Sequence, residues 1–323
     1  MLIDAVMFAG GLAALYYGAE WLVRGAARLA RSLGISAIIV GLTIVAFGTS
    51  APELIVTILA AARGQPDVAV GNVVGSNIVN IGLILGLSAV FTAIRIQAGI
   101  ILREMPIMIG TALALIALGA DGVISRADAL LLLACFIGFM LYMLRAARRG
   151  SAPVLEAEFQ DFEQDSGMTP TGAGRGPDVL LILLGLVALV VGAELLVRAA
   201  VSLARAAGVS ELVIGLTIVS VGTSLPELAT SVVAAFRREA DIAVGNVVGS
   251  NIFNVLAVLG IAPLVNPIAV ASSLYDLEMW VMLAFSLLLP ILCRSGLRLA
   301  RVEGGLLVVG YAIFIWALIV RSG

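Results

Sequence analysis

The chain has 323 residues, 61% of them apolar and 12% charged, with a formal net charge of −2. Soluble domains carry about 45–50% apolar and roughly 25% charged residues, so this composition excludes an ordinary soluble core and indicates a polytopic membrane protein. All 19 basic residues are arginine, and with no histidine in the chain a histidine proton relay is excluded.

A membrane span needs about 20 apolar residues. Taken in chain order, the apolar stretches predict ten transmembrane helices, near 2–30, 36–62, 67–92, 99–119, 127–147, 178–206, 211–236, 241–265, 273–293 and 300–320. The N-terminus lacks a basic n-region and a small-residue cleavage site, so its apolar stretch reads as a retained first span. Segment 150–177 carries Glu156, Glu158, Asp161, Glu163 and Asp165 before a Gly/Pro/Thr stretch. It lacks the ligand spacing of a calcium loop and reads as a solvated linker joining a first five-helix half, 1–149, to a second, 178–323. Cys135 and Cys293 lie in apolar runs at unmatched positions and imply no disulfide framework.

The two halves repeat each other. Gly41–Leu54 returns 174 residues later as Gly215–Leu228 with 11 of 14 positions identical, and Ala69–Asn80 returns as Ala243–Asn254 with 11 of 12 identical. Gly18-Ala-Glu20 with Arg24 recurs as Gly192-Ala-Glu194 with Arg198, and Glu104-Met105 as Glu278-Met279, at the same offset. Each predicted half holds an odd number of spans, so the second must cross the membrane in the opposite sense. The expected fold is therefore all-α and polytopic: two inverted five-helix repeats with broken helices at the midplane. Paired, interrupted apolar segments of this kind point to a transporter's binding site.

The interruptions are chemical as well as conformational. In Gly48-Thr49-Ser50-Ala51-Pro52-Glu53, proline removes a backbone donor and its ring presses on the carbonyl four residues back. The helix should break there and free carbonyls near Ala46 and Phe47. Glu53 lies three residues after Ser50 and four after Thr49, so all three can face one site. The second copy offers Ser220, Val221, Thr223, Ser224 and Glu227. Ser76 and Asn80 are four apart on the next helix, as are Ser250 and Asn254, while Gly71, Gly75, Gly82, Gly245 and Gly249 permit close helix approach. An unpaired carboxylate inside a membrane is costly and therefore functional by default. Single intramembrane Ser or Asn residues serve as packing glue about as readily as ligands. Together they form an oxygen-only set suited to hard cations, Ca²⁺ with about 6–8 oxygens or Na⁺ with fewer. Glu20 and Glu194 precede an arginine by one turn and read as structural ion pairs. Glu104 and Glu278 read as helix-opening acids.

These blocks resemble the two α-repeats of the calcium/cation antiporter superfamily, the sodium/calcium exchangers, and are most similar to the compact prokaryotic calcium/sodium antiporter branch. The carrying residues are Gly48–Glu53 with Gly75–Asn80, and Gly222–Glu227 with Gly249–Asn254. The resemblance implies Ca²⁺/Na⁺ exchange by alternating access, with Glu53 and Glu227 as the central cation-binding acids. It assigns Thr49, Ser50, Ser76, Asn80, Thr223, Ser224, Ser250 and Asn254 to the ion sites, completed by carbonyls near Ala46 and Ser220. Ca²⁺ and Na⁺ are then transported cargo, and no cofactor is implied. Some members have an aspartate where this chain has Asn254, leaving two site carboxylates here and putting potassium dependence and stoichiometry in question. The linker is short for the regulatory calcium domains of animal members.

Arginine bias orients the chain. With the N-terminus outside, fourteen arginines fall on the inner side and five on the outer. Both termini are thus expected outside an inner cell membrane, with the linker cytoplasmic. A cation/proton or potassium-dependent antiporter is the nearest alternative. A channel suits helix-broken repeats less well, and Ser50 or Ser224 as an enzyme nucleophile lacks a general base. No feature calls for nucleic acid, a soluble partner or an oligomer; the bilayer is the one surrounding required.

Overall fold

The computed structural model describes residues 2–149, 175–206 and 220–322. It is helical nearly throughout. Two long helices, α1 (Leu2–Leu33) and its later counterpart, flank a core of shorter ones. After α1 come α2 (Ala37–Thr49), α3 (Ala51–Ala62), α4 (Pro66–Phe91), α5 (Ile100–Leu118) and α6 (Arg126–Arg149). The second half runs through α7 (Gly176–Ala206), α8 (Ser220–Gly222), α9 (Leu225–Phe236), α10 (Ala240–Val265), α11 (Glu278–Cys293) and α12 (Arg301–Ser322).

Among the described residues eight helices are long and apolar enough to cross a membrane, and α2 with α3 makes a ninth, bent by 44°. The break falls where the sequence puts it. Ser50 leaves helical geometry (φ −83°, ψ 7°), and Pro52 opens α3, where its missing N–H costs nothing. The expected span 211–236 lies partly outside the described residues, as does most of the 150–177 linker and its acids. α9, the longer described part of that span after α8, also carries a proline in its first turn, Pro226.

Two additions qualify the all-α expectation. Two-residue strands β1 (Ile94–Arg95) and β4 (Arg298–Leu299) pair antiparallel, Ile94 opposite Leu299. β2 (Val123–Ile124) and β3 (Ile268–Ala269) do the same, Ile124 opposite Ile268. Each pair stitches a loop of one half to a loop of the other.

α1 and α7 run antiparallel in backbone contact. Glycines recur every seven residues, Gly11, Gly18 and Gly25 on α1, with Gly185 and Gly192 on α7. A Cβ on Gly18 would stand 2.9 Å from Gly185 O, and one on Gly185 would stand 2.7 Å from Gly18 O. α4 and α10 are the most enclosed spans and carry the central apolar core with α5 and α11. Gly245 and Gly249 let α10 lie against α2, where added Cβ atoms would meet Ile38 O at 2.9 Å and Leu42 O at 2.8 Å. Gly82 meets Tyr311 and Phe285. Gly71 and Gly75 depart from expectation, since a Cβ there meets nothing described within 4 Å. Their counterparts pack on α2, and the second copy of that stretch lies outside the described residues.

Candidate cation site

The first turns of α3 and α9 bring Glu53 and Glu227 into the interior, each 1% exposed. Both sit at a helix N-terminus, where backbone dipoles favour negative charge. Each carboxylate gives one oxygen to a serine of the opposite half. Ser50 Oγ donates to Glu227 Oε1 at 2.9 Å, and Ser224 Oγ donates to Glu53 Oε1 at 3.0 Å. Ser224 Oγ also lies 3.3 Å from Ser76 Oγ.

Asparagines frame this pair with the same reciprocity. Asn72 Nδ2 donates to Thr57 Oγ1 at 3.0 Å and Glu53 O at 3.3 Å; Asn246 Nδ2 donates to Ser231 Oγ at 3.0 Å and Glu227 O at 3.4 Å. Thr49 Oγ1 donates to Asn246 Oδ1 at 3.0 Å, and Thr223 Oγ1 to Asn72 Oδ1 at 3.4 Å. Where α4 meets α10, Asn80 Nδ2 donates to Asn251 Oδ1 at 2.9 Å and Asn254 Nδ2 to Asn77 Oδ1 at 3.1 Å. Asn77 and Asn251 close the figure, each donating to the other's backbone carbonyl at 3.4 and 3.3 Å. A shift of 174 turns each bond of these pairs into its partner: added to both residues for the bonds within a half, and added to one and subtracted from the other for the bonds between halves.

Five buried oxygens of this cluster have no hydrogen bond: Glu53 Oε2, Glu227 Oε2, Asn80 Oδ1, Asn254 Oδ1 and Ser250 Oγ. Buried acceptors are normally satisfied. Four of them are carboxylate or amide oxygens, acceptors that a cation or a hydrogen-bond donor can complete and a further acceptor cannot. The asparagine positions are also conformationally marked: Asn80 begins a widened π turn (Asn80–Leu85) and Asn254 another (Asn254–Val258). Such turns are frequent at functional sites.

The twelve residues singled out in the sequence fare differently. Glu53, Glu227, Ser50, Ser224, Ser76, Ser250, Asn80 and Asn254 are buried together with Thr49, and Thr223 is half-buried. The Thr49 and Thr223 hydroxyls turn to asparagines. Ala46 O, expected to be freed by the break, accepts Ser50 N–H at 3.0 Å and lies 3.4 Å from Thr49 Oγ1, because α2 keeps its last turn. In the second copy Ser224 N–H goes to Val221 O at 3.1 Å, leaving Ser220 outside that bond. Asn72, Asn77, Asn246 and Asn251 stand in the repeated blocks without having been singled out. Thr57 and Ser231 lie beyond those blocks, marked only by hydroxyls at matching positions.

The peripheral acids divide. Glu20 and Glu194 form the expected one-turn pairs with Arg24 at 2.6 Å and Arg198 at 2.5 Å. Glu278 opens α11 as expected and lies 3.7 Å from Arg321. Glu104 does not open its helix. It ends a π turn five residues into α5, where it is buried and Tyr142 OH donates to it at 3.4 Å. Cys135 and Cys293 are unpaired thiols.

A helical polytopic membrane protein with two carboxylates and orphaned oxygens at its centre belongs to the class of cation carriers or channels. The sequence model of the family described as "Sodium/calcium exchanger protein" matches residues 3–145 and again 178–320, and the chain belongs to that family. It is 39% identical over 315 residues to the putative antiporter CaxA of Alkalimonas amylolytica, covering 96% of this chain and 97% of that protein. It is 35% identical over 320 residues to inner membrane protein YrbG of Escherichia coli (strain K12), covering 98% and 96% respectively. A solved structure of the sodium-calcium exchanger NCX_Mj, soaked with 2.5 mM Na⁺ and 0.1 mM Ca²⁺, superposes with a TM-score of 0.81 at 34% identity, covering 98% of this chain and 99% of that one.

Proposed function

We propose that the protein is a secondary antiporter that exchanges Ca²⁺ for Na⁺ by alternating access, with Glu53 and Glu227 holding the ions. The observation that carries this reading is the pair of buried carboxylates, each tied by one oxygen to the other half and left with one oxygen unbonded. Asn80, Asn254, Ser76, Ser250, Ser50, Ser224, Thr49 and Thr223 complete the ion sites, with the Ala46 and Ser220 carbonyls at their edge. The already occupied Ala46 O keeps a second lone pair for a cation.

The finer architecture is ten spans in two inverted halves, 1–149 and 178–323, joined by a cytoplasmic linker, with both termini outside an inner membrane. The reciprocal bonds and the twofold family match support it. The inner membrane agrees with the name of the E. coli relative. Two ionised glutamates give the site a charge of −2, which one Ca²⁺ or two Na⁺ neutralise. A third Na⁺ leaves +1, making exchange electrogenic by about 2.3 kcal/mol per charge per 100 mV. Without cations or protons the site keeps two unscreened carboxylates in low dielectric, so the empty carrier resists rearrangement and exchange becomes obligatory. Two site carboxylates rather than three favour potassium-independent transport, carried out by the chain alone in a bilayer.

The test is calcium uptake into proteoliposomes loaded with sodium and diluted into sodium-free, potassium-free buffer. Uptake should require the sodium gradient and vanish in Glu53→Gln, with that variant still folded. Wild-type flux in the variant would overturn the site. Uptake that starts only with added potassium or a pH gradient would replace the coupling ion.

A further inference from the structure

One set of contacts breaks the reciprocity of the buried network. Glu20 of α1 is buried and held by two arginines: Arg24 at 2.6 Å on its own helix, and Arg237 at the end of α9, whose Nε and Nη2 fork onto the carboxylate. The positions 174 residues away are chemically identical. Glu194 on α7 pairs with Arg198 at 2.5 Å, and Arg63 ends α3 as Arg237 ends α9. Yet the Glu194 side chain is 57% exposed against 9% for Glu20. Arg63 is exposed and forms no ion pair among the described residues.

Local structure delivers both arginines alike. α3 closes with Gln65 N–H on Ala60 O at 2.9 Å, and α9 with Glu239 N–H on Ala234 O at 2.9 Å. The residue after each arginine is left-handed, Gly64 at φ 66° and Arg238 at φ 62°. Among the described residues it is the surroundings of the glutamate-bearing helix that differ. Val233 and Ile242, beside Arg237, are buried in one cluster with α1. Their counterparts, Leu59 and Val68 beside Arg63, are 45% and 50% exposed. Because α1 and α7 meet backbone to backbone, any shift over the core would move them as one body. A shift that carries Glu194 to Arg63 carries Glu20 away from Arg237.

We propose that Glu20–Arg237 and Glu194–Arg63 are alternative latches, each closed in one of the two access states, with the first closed here. The proposal rests on the alternating-access reading above. The neighbouring arginines make the exchange feasible. Arg24 and Arg198 stay with their glutamates through a one-turn pair on the same helix, so an opened latch strands no uncompensated carboxylate. Breaking one latch is offset by closing its equivalent, which keeps the two states close in free energy, as a two-state element requires.

The experiment measures apparent Na⁺ affinity separately at each face in oriented proteoliposomes. Arg237→Gln should shift the ratio of the two affinities away from the access state in which Glu20–Arg237 is closed, by about fivefold given a partly exposed arginine. Arg63→Gln should move that ratio the other way, and the swap Glu20→Arg with Arg237→Glu should restore it. Shifts of the same sign, or none, would overturn the proposal. A second measurement needs no transport. With Cys135 and Cys293 replaced by serine, the pairs Glu20→Cys/Arg237→Cys and Glu194→Cys/Arg63→Cys should each cross-link, and should leave the site reachable from opposite faces. A second pair that never cross-links, in Na⁺, Ca²⁺ or chelator, would overturn the latch while the exchange reading stands. Loss of sodium-driven uptake in the wild type would instead remove the exchange reading, whatever the cross-links do.

Discussion

Glu53 and Glu227 each accept a hydroxyl from the other half, so on the proposed reading neither half holds a complete ion site by itself. Ser50 belongs in sequence with Glu53 but in space with Glu227. A hydrogen bond to a charged group contributes about 1.5–3 kcal/mol, and each 1.4 kcal/mol is about tenfold in affinity. Ser50→Ala should therefore weaken Ca²⁺ binding about 10–100-fold by releasing Glu227, and Ser224→Ala should do the same through Glu53. Combined with Glu227→Asp, Ser50→Ala should cost less than the sum of the two, whereas combined with Glu53→Asp it should be additive. Calorimetric Ca²⁺ titrations of the three single and two double variants decide, and the opposite pattern of coupling would refute the crossed arrangement. The identity of the two acids was legible because carboxylates beside prolines in duplicated apolar runs have few other uses. Their crossed partners were not. A spacing of three or four residues places groups on one helix face, while Ser50 meets a residue 177 positions away.

At the scale of helices, packing along α1 is set by glycines seven apart, a spacing that returns to one helix face every two turns. A side chain at Gly18 would run into the backbone of Gly185 and Leu189, both at 2.9 Å. Neighbouring Gly10 has nothing within 4 Å. Gly18→Val should destabilise the protein by about 1–3 kcal/mol, the usual cost of overpacking, and Gly10→Val should be nearly silent. Thermal unfolding in detergent compares them, and equal melting temperatures would mean that α1 and α7 do not depend on this contact. Sequence reading recovered these elements well where length and apolarity suffice, including the break at Pro52. It read Glu104 as a helix-opening acid because a carboxylate favours a helix N-terminus, yet α5 is already helical from Ile100 and reaches Glu104 through a π turn. Nor did alternating patterns announce β1 to β4, which are two residues long and exist only because loops of the two halves lie side by side. The freed Ala46 carbonyl failed for a related reason. The break opens after Thr49 and not before it, so the last turn of α2 survives.

Over the whole molecule, folding has to enclose a central cluster in which five buried oxygens, one from each of the two carboxylates among them, have no hydrogen bond among the described residues. On the proposed reading such a centre destabilises the empty protein and stabilises the loaded one, since a cation would bind the folded site and has no equivalent in the unfolded chain. Ligand at 100 times its dissociation constant adds about 2.7 kcal/mol to stability. Wild-type protein should thus melt progressively later as Ca²⁺ is titrated in, and later in Na⁺ than in an impermeant organic cation. Glu53→Gln removes one of two like charges and also one of two ligands. In chelator it should melt at or above the wild type, because the repulsion between the acids is gone. In saturating Ca²⁺ it should melt below, because the ion no longer holds both halves together. The two melting curves must therefore cross as calcium rises. Parallel curves would mean that Glu53 contributes to the fold alone, and a wild type indifferent to both ions would remove the cation site from the centre of the molecule.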